Sequence, residues 1–230
     1  MYAVNNWRIV TQTFTRRESA MLPIHRIELP GTGPEDIAVL PDGSLITGLA
    51  DGRLFKISQP ELTLPQIEML HHFQGRPLGI EVMDESTLII CDGELGELIS
   101  FDLKSHRHTR LADRFQKKKL KFCNNASVCH DGRIFFSCSS AYYPVSRWQR
   151  DLLRHTESGA LYCRFPDGEL EKLASGLGFA NGVALLPDKT AVLVAETAHH
   201  RIMKVCLSTK KISRFAITAG SPDNLSVGDS

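Results

Sequence analysis

The sequence predicts an all-β protein, a β-propeller put together from repeated units of about four short strands. Three observations predict it. Short apolar runs rich in β-branched and aromatic residues are punctuated by Asp42-Gly43, Asp51-Gly52, Asp92-Gly93, Asp131-Gly132 and Asp167-Gly168, and Asp-Gly between strands is a strong hairpin signal. Helical periodicity is nearly absent. A strand-opening segment also recurs along the chain, at an interval that suits blades of four strands.

Residues 1–27 read as an N-terminal extension or outer strand; Arg8, Arg16, Arg17 and Glu18 leave it no apolar stretch of signal-peptide length. Repetition starts in the following stretch, 28–230. The first copy runs from Gly33-Pro34-Glu35-Asp36-Ile37 into Leu45-Ile46-Thr47-Gly48, and the second from Arg76-Pro77-Leu78-Gly79-Ile80 into Leu88-Ile89-Ile90-Cys91-Asp92. The third runs from Phe122-Cys123-Asn124-Asn125-Ala126 into Ile134-Phe135-Phe136-Ser137. Between it and the next copy lies the one helix candidate, Val145 to His155, with Trp148, Leu152 and Val145 on one face. The fourth runs from Phe179-Ala180-Asn181-Gly182-Val183 into Val192-Leu193-Val194-Ala195-Glu196, and a fifth opens at Ser221-Pro222-Asp223-Asn224-Leu225. Anchored on Ile37, Ile80, Ala126, Val183 and Leu225, the copies lie 42 to 57 residues apart. An open ring leaves two apolar blade faces wet, so four units and the start of a fifth are expected to be a fragment or truncated product of a larger ring.

Composition narrows the class. With 42% hydrophobic and 23% charged residues in 230, the chain is globular rather than disordered, collagenous or coiled-coil. A net charge of +1 gives no global field to recruit nucleic acid or an anionic membrane, and no run approaches a transmembrane span. A soluble, cytoplasmic protein acting on a small molecule is expected. None of the six cysteines has zinc-type spacing, and Cys91, Cys129, Cys138 and Cys206 fall in apolar β-rich runs, which suits reduced core thiols.

The chemistry lies two positions before each anchor, where the chain joins the innermost strand beside the central channel: Glu35, Leu78, Asn124, Asn181 and Asp223. Four of the five are oxygen donors. Two carboxylates and two carboxamides suit a hard divalent cation, Ca²⁺ first, with Mg²⁺, Mn²⁺ and Zn²⁺ as the other candidates. Each residue alone fits a turn or a strand opening better than a ligand; recurrence in one register is what turn chemistry does not explain.

These residues also carry a resemblance. Phe122-x-Asn124, Ile134-Phe135-Phe136-Ser137-Cys138-Ser139-Ser140, Ser158-Gly159-Ala160-Leu161, Phe179-Ala180-Asn181-Gly182-Val183-Ala184 and Val194-Ala195-Glu196-Thr197 with Arg201-Ile202 resemble the strictosidine synthase-like family, whose conserved region falls at about residues 122–207. Gly75-Arg76-Pro77-Leu78-Gly79-Ile80 is a further feature of it, and Gly33-Pro34-Glu35 is shared with the wider superfamily of regucalcin-type gluconolactonases and paraoxonases. The resemblance implies a six-bladed propeller, here incomplete, and a catalytic metal held by Glu35, Asn124, Asn181 and Asp223, with Asn224 adjacent. Three departures stand out. Leu78 replaces the histidine proposed as general base in paraoxonases; Asn125 replaces one acid of their second calcium site, where Asp36 is retained; and Phe136-Ser137-Cys138-Ser139-Ser140 stands where relatives read Phe-Thr-Asp-Ser-Ser.

The function implied is metal-dependent hydrolysis of a lactone or ester, the cation activating water and polarising the carbonyl, with Asp223 and Glu35 as catalytic residues. Leu78, Arg76, Trp148 and Tyr142 are the candidate substrate-lining residues. The competing readings are a non-catalytic binding module and a strictosidine synthase-type lyase that forms a carbon-nitrogen bond. The remaining features resolve to structure: Lys117, Lys118, Lys119 and Lys121 suit a solvated loop, and His71-His72 and His199-His200, as neighbours on strands, face opposite ways. No Gly-x-Ser-x-Gly motif supports a serine esterase.

Overall fold

The computed structural model describes residues 26–228. Four antiparallel sheets follow one another, each with its four strands in sequence order. The first holds β1 (Ile37–Val39), β2 (Leu45–Gly48), β3 (Arg53–Ser58) and β4 (Gln66–His72). The second holds β5 (Pro77–Val82), β6 (Thr87–Asp92), β7 (Glu97–Asp102) and β8 (His108–Ala112). After a two-stranded hairpin, β9 (Arg114–Phe115) and β10 (Lys118–Lys119), comes the third, β11 (Cys123–Val128), β12 (Ile134–Cys138), β13 (Gly159–Arg164) and β14 (Leu170–Leu177). The fourth is β15 (Ala180–Leu185), β16 (Ala191–Glu196), β17 (Arg201–Cys206) and β18 (Ile212–Ile217). β1 touches β5, β5 touches β11 and β11 touches β15, so the first strand of each sheet lies innermost, in a β-propeller-like arrangement. Every repeat anchor from Ile37 to Val183 falls on one of these inner strands.

Three apolar layers join the four sheets. Ile46, Leu54, Ile80, Leu88, Ile90 and Phe101 fill the first, Ile89, Cys91, Leu98, Ala126, Phe136 and Tyr162 the second, and Phe135, Leu161, Val183, Val192, Val194 and Val205 the third. Leu88 and Ile90 therefore face one neighbour and Ile89 and Cys91 the other, as do Phe135 and Phe136 on the third sheet. A sheet packed on both faces needs continuous apolar runs rather than alternation, which is why these strands read as they do.

Four of the five Asp-Gly pairs place their glycine in the left-handed region, at φ between +81° and +94°. Asp92-Gly93 differs: Asp92 Oδ1 accepts the Glu94 and Leu95 amides, Gly96 takes the positive φ, and a Cβ on Gly93 would meet Leu78 Cδ1 at 2.3 Å. Gly93 is there for packing. The lysine run is solvent-exposed between the second and third sheets as expected, but it carries the β9–β10 hairpin, with Lys118 and Lys119 on β10 and Gln116 and Lys117 both at positive φ in the turn. The helical segment forms as a 3₁₀ turn, Val145–Arg147, continued by α1 (Trp148–Arg154). Val145 and Leu152 pack inward from it, whereas Trp148 is half-exposed and does not share their face. All six cysteines are free and five are buried; Cys206 is the exception, only partly covered. Residues 1–25 of the N-terminal extension lie outside the described residues.

Candidate functional site

The repeat signature corresponds to a backbone device. Pairing in the inner strands shifts register between Pro77 and Ile80, between Cys123 and Ala126, and between Ala180 and Val183. Leu78-Gly79, Asn124-Asn125 and Asn181-Gly182 are thus the bulged residues, and a bulge bends its strand and re-aims its side chains. Glu35-Asp36 occupies the corresponding place just ahead of β1. Residues 221–228 return to the same place: the Gly182 amide donates to the Asp223 carbonyl at 3.2 Å and Thr197 Oγ1 donates to the Pro222 carbonyl at 2.8 Å.

The bulges are braced from β12. Ser137 Oγ donates to the Asn181 carbonyl at 2.6 Å and receives the Asn125 amide, while Ser139 Oγ donates to the Ala180 carbonyl at 2.7 Å and receives Asn124 Nδ2 at 2.8 Å. Both hydroxyls are fully buried. The sequence reasoning missed them; two serines flanking a cysteine on an apolar strand were the available signal.

Two polar sets result. In one, Asp36 Oδ2 accepts the Ile80 amide at 2.9 Å and the Asn125 carboxamide at 3.4 Å, and Asn125 Oδ1 accepts the Val183 amide at 2.9 Å. Asn125 Nδ2 also stands 3.5 Å from Asn224 Oδ1. Asp36, just ahead of β1, and Asn125 on β11 thereby tie the inner edges of all four sheets to one another. The other set has oxygens to spare: Glu35 Oε2, Asn124 Oδ1 and Asn181 Oδ1 are buried without any hydrogen-bond partner. An unpartnered buried oxygen is costly, and three at equivalent repeat positions fit a cation they would share. Asp223 is exposed, and its charge acts on Glu35. Among the described residues no three His, Cys, Asp or Glu side chains cluster as a metal site would need, so a cation here depends on the carboxamides.

Burial raises Glu35 to about 7; Asp36 and Asp223 push the same way, against Arg76 and a hydrogen bond from Asn224. Glu81, which the repeat register does not single out, is also raised to about 7, chiefly by burial. It lines, with Glu35, Asp36, Asn125 and Asn224, an open channel cavity of about 580 Å³. Its signal was a lone charge on an otherwise apolar inner strand.

Leu78 is buried against Phe122, Val145 and Phe179, with Leu152 of α1 packed on them, so this bulge offers an apolar wall in place of a base. The segment carrying α1 is tied to the second sheet: the Val145 amide donates to the Gly93 carbonyl, and Ser146 donates twice to the Glu94 carboxylate. Arg76 Nε is buried and unpartnered. Trp148 and Tyr142 stand 42% and 65% exposed, and neither borders the channel cavity. The histidine pairs behave differently from each other. His71 joins Phe73, Phe101 and His108 while His72 turns to the Asp51 carbonyl, but His199 ends a 3₁₀ turn, not a strand, and bonds Glu196 at 2.8 Å. Burial would raise fully buried Glu196, yet hydrogen bonds from Arg201, the Gly178 amide and His199 hold it below the ordinary value.

Residues 60–225 match the SMP-30/gluconolactonase/LRE-like region, and residues 19–57 the N-terminal region of strictosidine synthase-like proteins. The chain is 35% identical over 195 residues to the adipocyte plasma membrane-associated protein of Salmo salar, covering 76% of this chain and 45% of that protein. It is 29% identical over 196 residues to strictosidine synthase-like protein 7 of Arabidopsis thaliana, covering 84% and 53%. The chain thus spans about half the length of these relatives. A solved gluconolactonase from Xanthomonas campestris superposes with a TM-score of 0.67 at 20% identity, over 84% of this chain and 66% of that one, a likeness of fold. No helix among the described residues is long and apolar enough to cross a membrane.

Proposed function

The chain belongs to the SMP-30/gluconolactonase/LRE-like family, and from that membership we propose that it hydrolyses a lactone or ester at the channel, with a divalent cation, calcium first, held by Glu35, Asn124, Asn181 and Asp223. The observation that carries this reading is the set of three buried oxygens without partners, Glu35 Oε2, Asn124 Oδ1 and Asn181 Oδ1, at equivalent places of three repeats. The reading takes the four sheets as part of a six-bladed ring.

A cation bound there supplies electrophilic polarisation of the carbonyl and acidifies a water. Glu35 and Asp223 would balance its charge, and the carboxamides of Asn124 and Asn181 would add neutral oxygens. Asp223, the one exposed member, orients water and accepts its proton, a role that falls to it because Leu78 offers no base. Glu35, raised to about 7 by burial, would be held as the carboxylate beside a cation, since opposite charge favours that form. Arg76, beside Glu35 and with Nε free of partners, donates to the oxygen on which negative charge develops. Leu78 and Phe179 keep water off the acyl group.

The test is calorimetric titration of the chain with calcium, alongside hydrolysis of gluconolactone and phenyl acetate. Glu35→Ala and Asp223→Ala are expected to weaken cation binding at least about tenfold and to remove chelator-sensitive turnover. Unchanged turnover in both variants, or no divalent-ion binding up to millimolar concentration, overturns the assignment.

A further inference from the structure

One buried thiol has no place in the channel site, that of Cys138. It faces a second cysteine. Cys123 and Cys138 are direct cross-strand partners on β11 and β12, and their sulfurs lie 3.5 Å apart. Directly opposed residues of an antiparallel pair have Cα atoms about 4.5–5.5 Å apart, inside the range a disulfide spans, so side-chain rotation alone can bring the sulfurs to the roughly 2.05 Å of a bond. Alternation along β12 points Ser137 and Ser139 toward the fourth sheet and Cys138 toward the second, so the thiol takes no part in bracing the bulges. Cys123 is fully buried, but Cys138 borders a cavity of about 230 Å³ that also carries Ser140, Ser158 and Tyr162. A molecule as small as hydrogen peroxide fits such a space.

We propose that Cys123 and Cys138 are a redox pair that peroxide converts to a cross-strand disulfide, stapling the strand that carries Asn124 to the strand that braces it. The Cys138 sulfur attacks one peroxide oxygen; the O–O bond breaks, the thiol becomes a sulfenic acid, and one water leaves. The Cys123 sulfur then attacks the sulfenic sulfur, forming the S–S bond and releasing the second water. Two thiols and one peroxide give one disulfide and two waters, the sulfurs losing two electrons and the peroxide gaining them. Among the described residues, Cys123 and Cys138 are the one pair of cysteine sulfurs in hydrogen-bond contact; the Cys129 sulfur lies by His130. The inference is independent of any cation in the channel.

The experiment treats the full chain with hydrogen peroxide, blocks the remaining thiols in denaturant and maps the peptides by mass spectrometry with and without reductant. A Cys123–Cys138 linkage is expected in the wild type and in Cys91→Ser, and none in Cys138→Ser, whose folding is checked by circular dichroism. Because the bond closes a loop of some 15 residues, the linked chain should melt about 5–10 °C higher, and reductant should return it to the starting value. Full alkylation of both cysteines after peroxide, linkage of either to Cys91, or a linked form melting at or below the reduced chain overturns the proposal.

Discussion

Asn125 shows how much one carboxamide carries. Its oxygen satisfies the Val183 amide and its nitrogen reaches Asp36 and Asn224, so it is a joint between three inner strands rather than a spare ligand. Asn125→Ala should lower stability by about 1–3 kcal/mol in urea denaturation, because a buried N–H loses its acceptor. Asn124→Ala should instead leave a smaller stability loss and a larger loss of calcium affinity, since its Oδ1 has no protein partner to lose. The two asparagines are neighbours and indistinguishable as letters. Repeat register selects Asn124, and that much was legible; which carboxamide spends its oxygen on backbone depends on the bulge and on Ser137 and Ser139, whose hydroxyls reach across to another sheet. Glu81 was missed for the same reason, since its proximity to Asp36, 45 residues away in the chain, comes from the stacking of two inner strands.

At the scale of elements, the inner strands pack too closely for a side chain at Gly79. A Cβ there would lie 2.6 Å from Asn125 Cα and 2.7 Å from the Asn124 carbonyl, backbone atoms that cannot swing aside. Gly79→Ala is therefore expected to cost at least about 2 kcal/mol and to weaken calcium binding by an order of magnitude, read by thermal melting and calorimetry. Gly43→Ala meets nothing within 4 Å and costs only the strain of its positive φ, so it should leave calcium binding as in the wild type. The first two strands of each repeat were legible, because runs such as Leu88-Ile89-Ile90-Cys91 and the Asp-Gly turns are local signals. The β9–β10 hairpin was not: its turn rests on Gln116 and Lys117 at positive φ, and nothing in those side chains announces it. Trp148 misled in the other direction, since helical spacing cannot say that the short α1 turns Asp151 and Leu152 inward and leaves Trp148 half-exposed.

For the molecule as a whole, buried carboxyls set a pH dependence. Glu35 and Glu81 titrate near 7 when folded and near 4.5 when unfolded, so between those values the folded chain holds more protons and stability falls as pH rises. Their contribution is complete below about pH 4.5 and lost as pH passes 7. Without divalent ions, the melting temperature should drop by on the order of 5 °C from pH 5 to 7.5. Glu35→Gln should flatten part of that slope, and calcium should restore wild-type stability chiefly at the upper end. A slope unaltered by Glu35→Gln would mean that this carboxyl is not what titrates.

The inner strands share one further property. Their kinks sit in the main chain at matching places, whether the residue there is Leu78, Asn124 or Asn181. Geometry at the axis is thus uncoupled from side-chain identity, and exchanging leucine for a donor, or a donor for leucine, changes what the channel can hold while leaving its outline intact. Such an arrangement can acquire, trade or abandon a chemistry one position at a time.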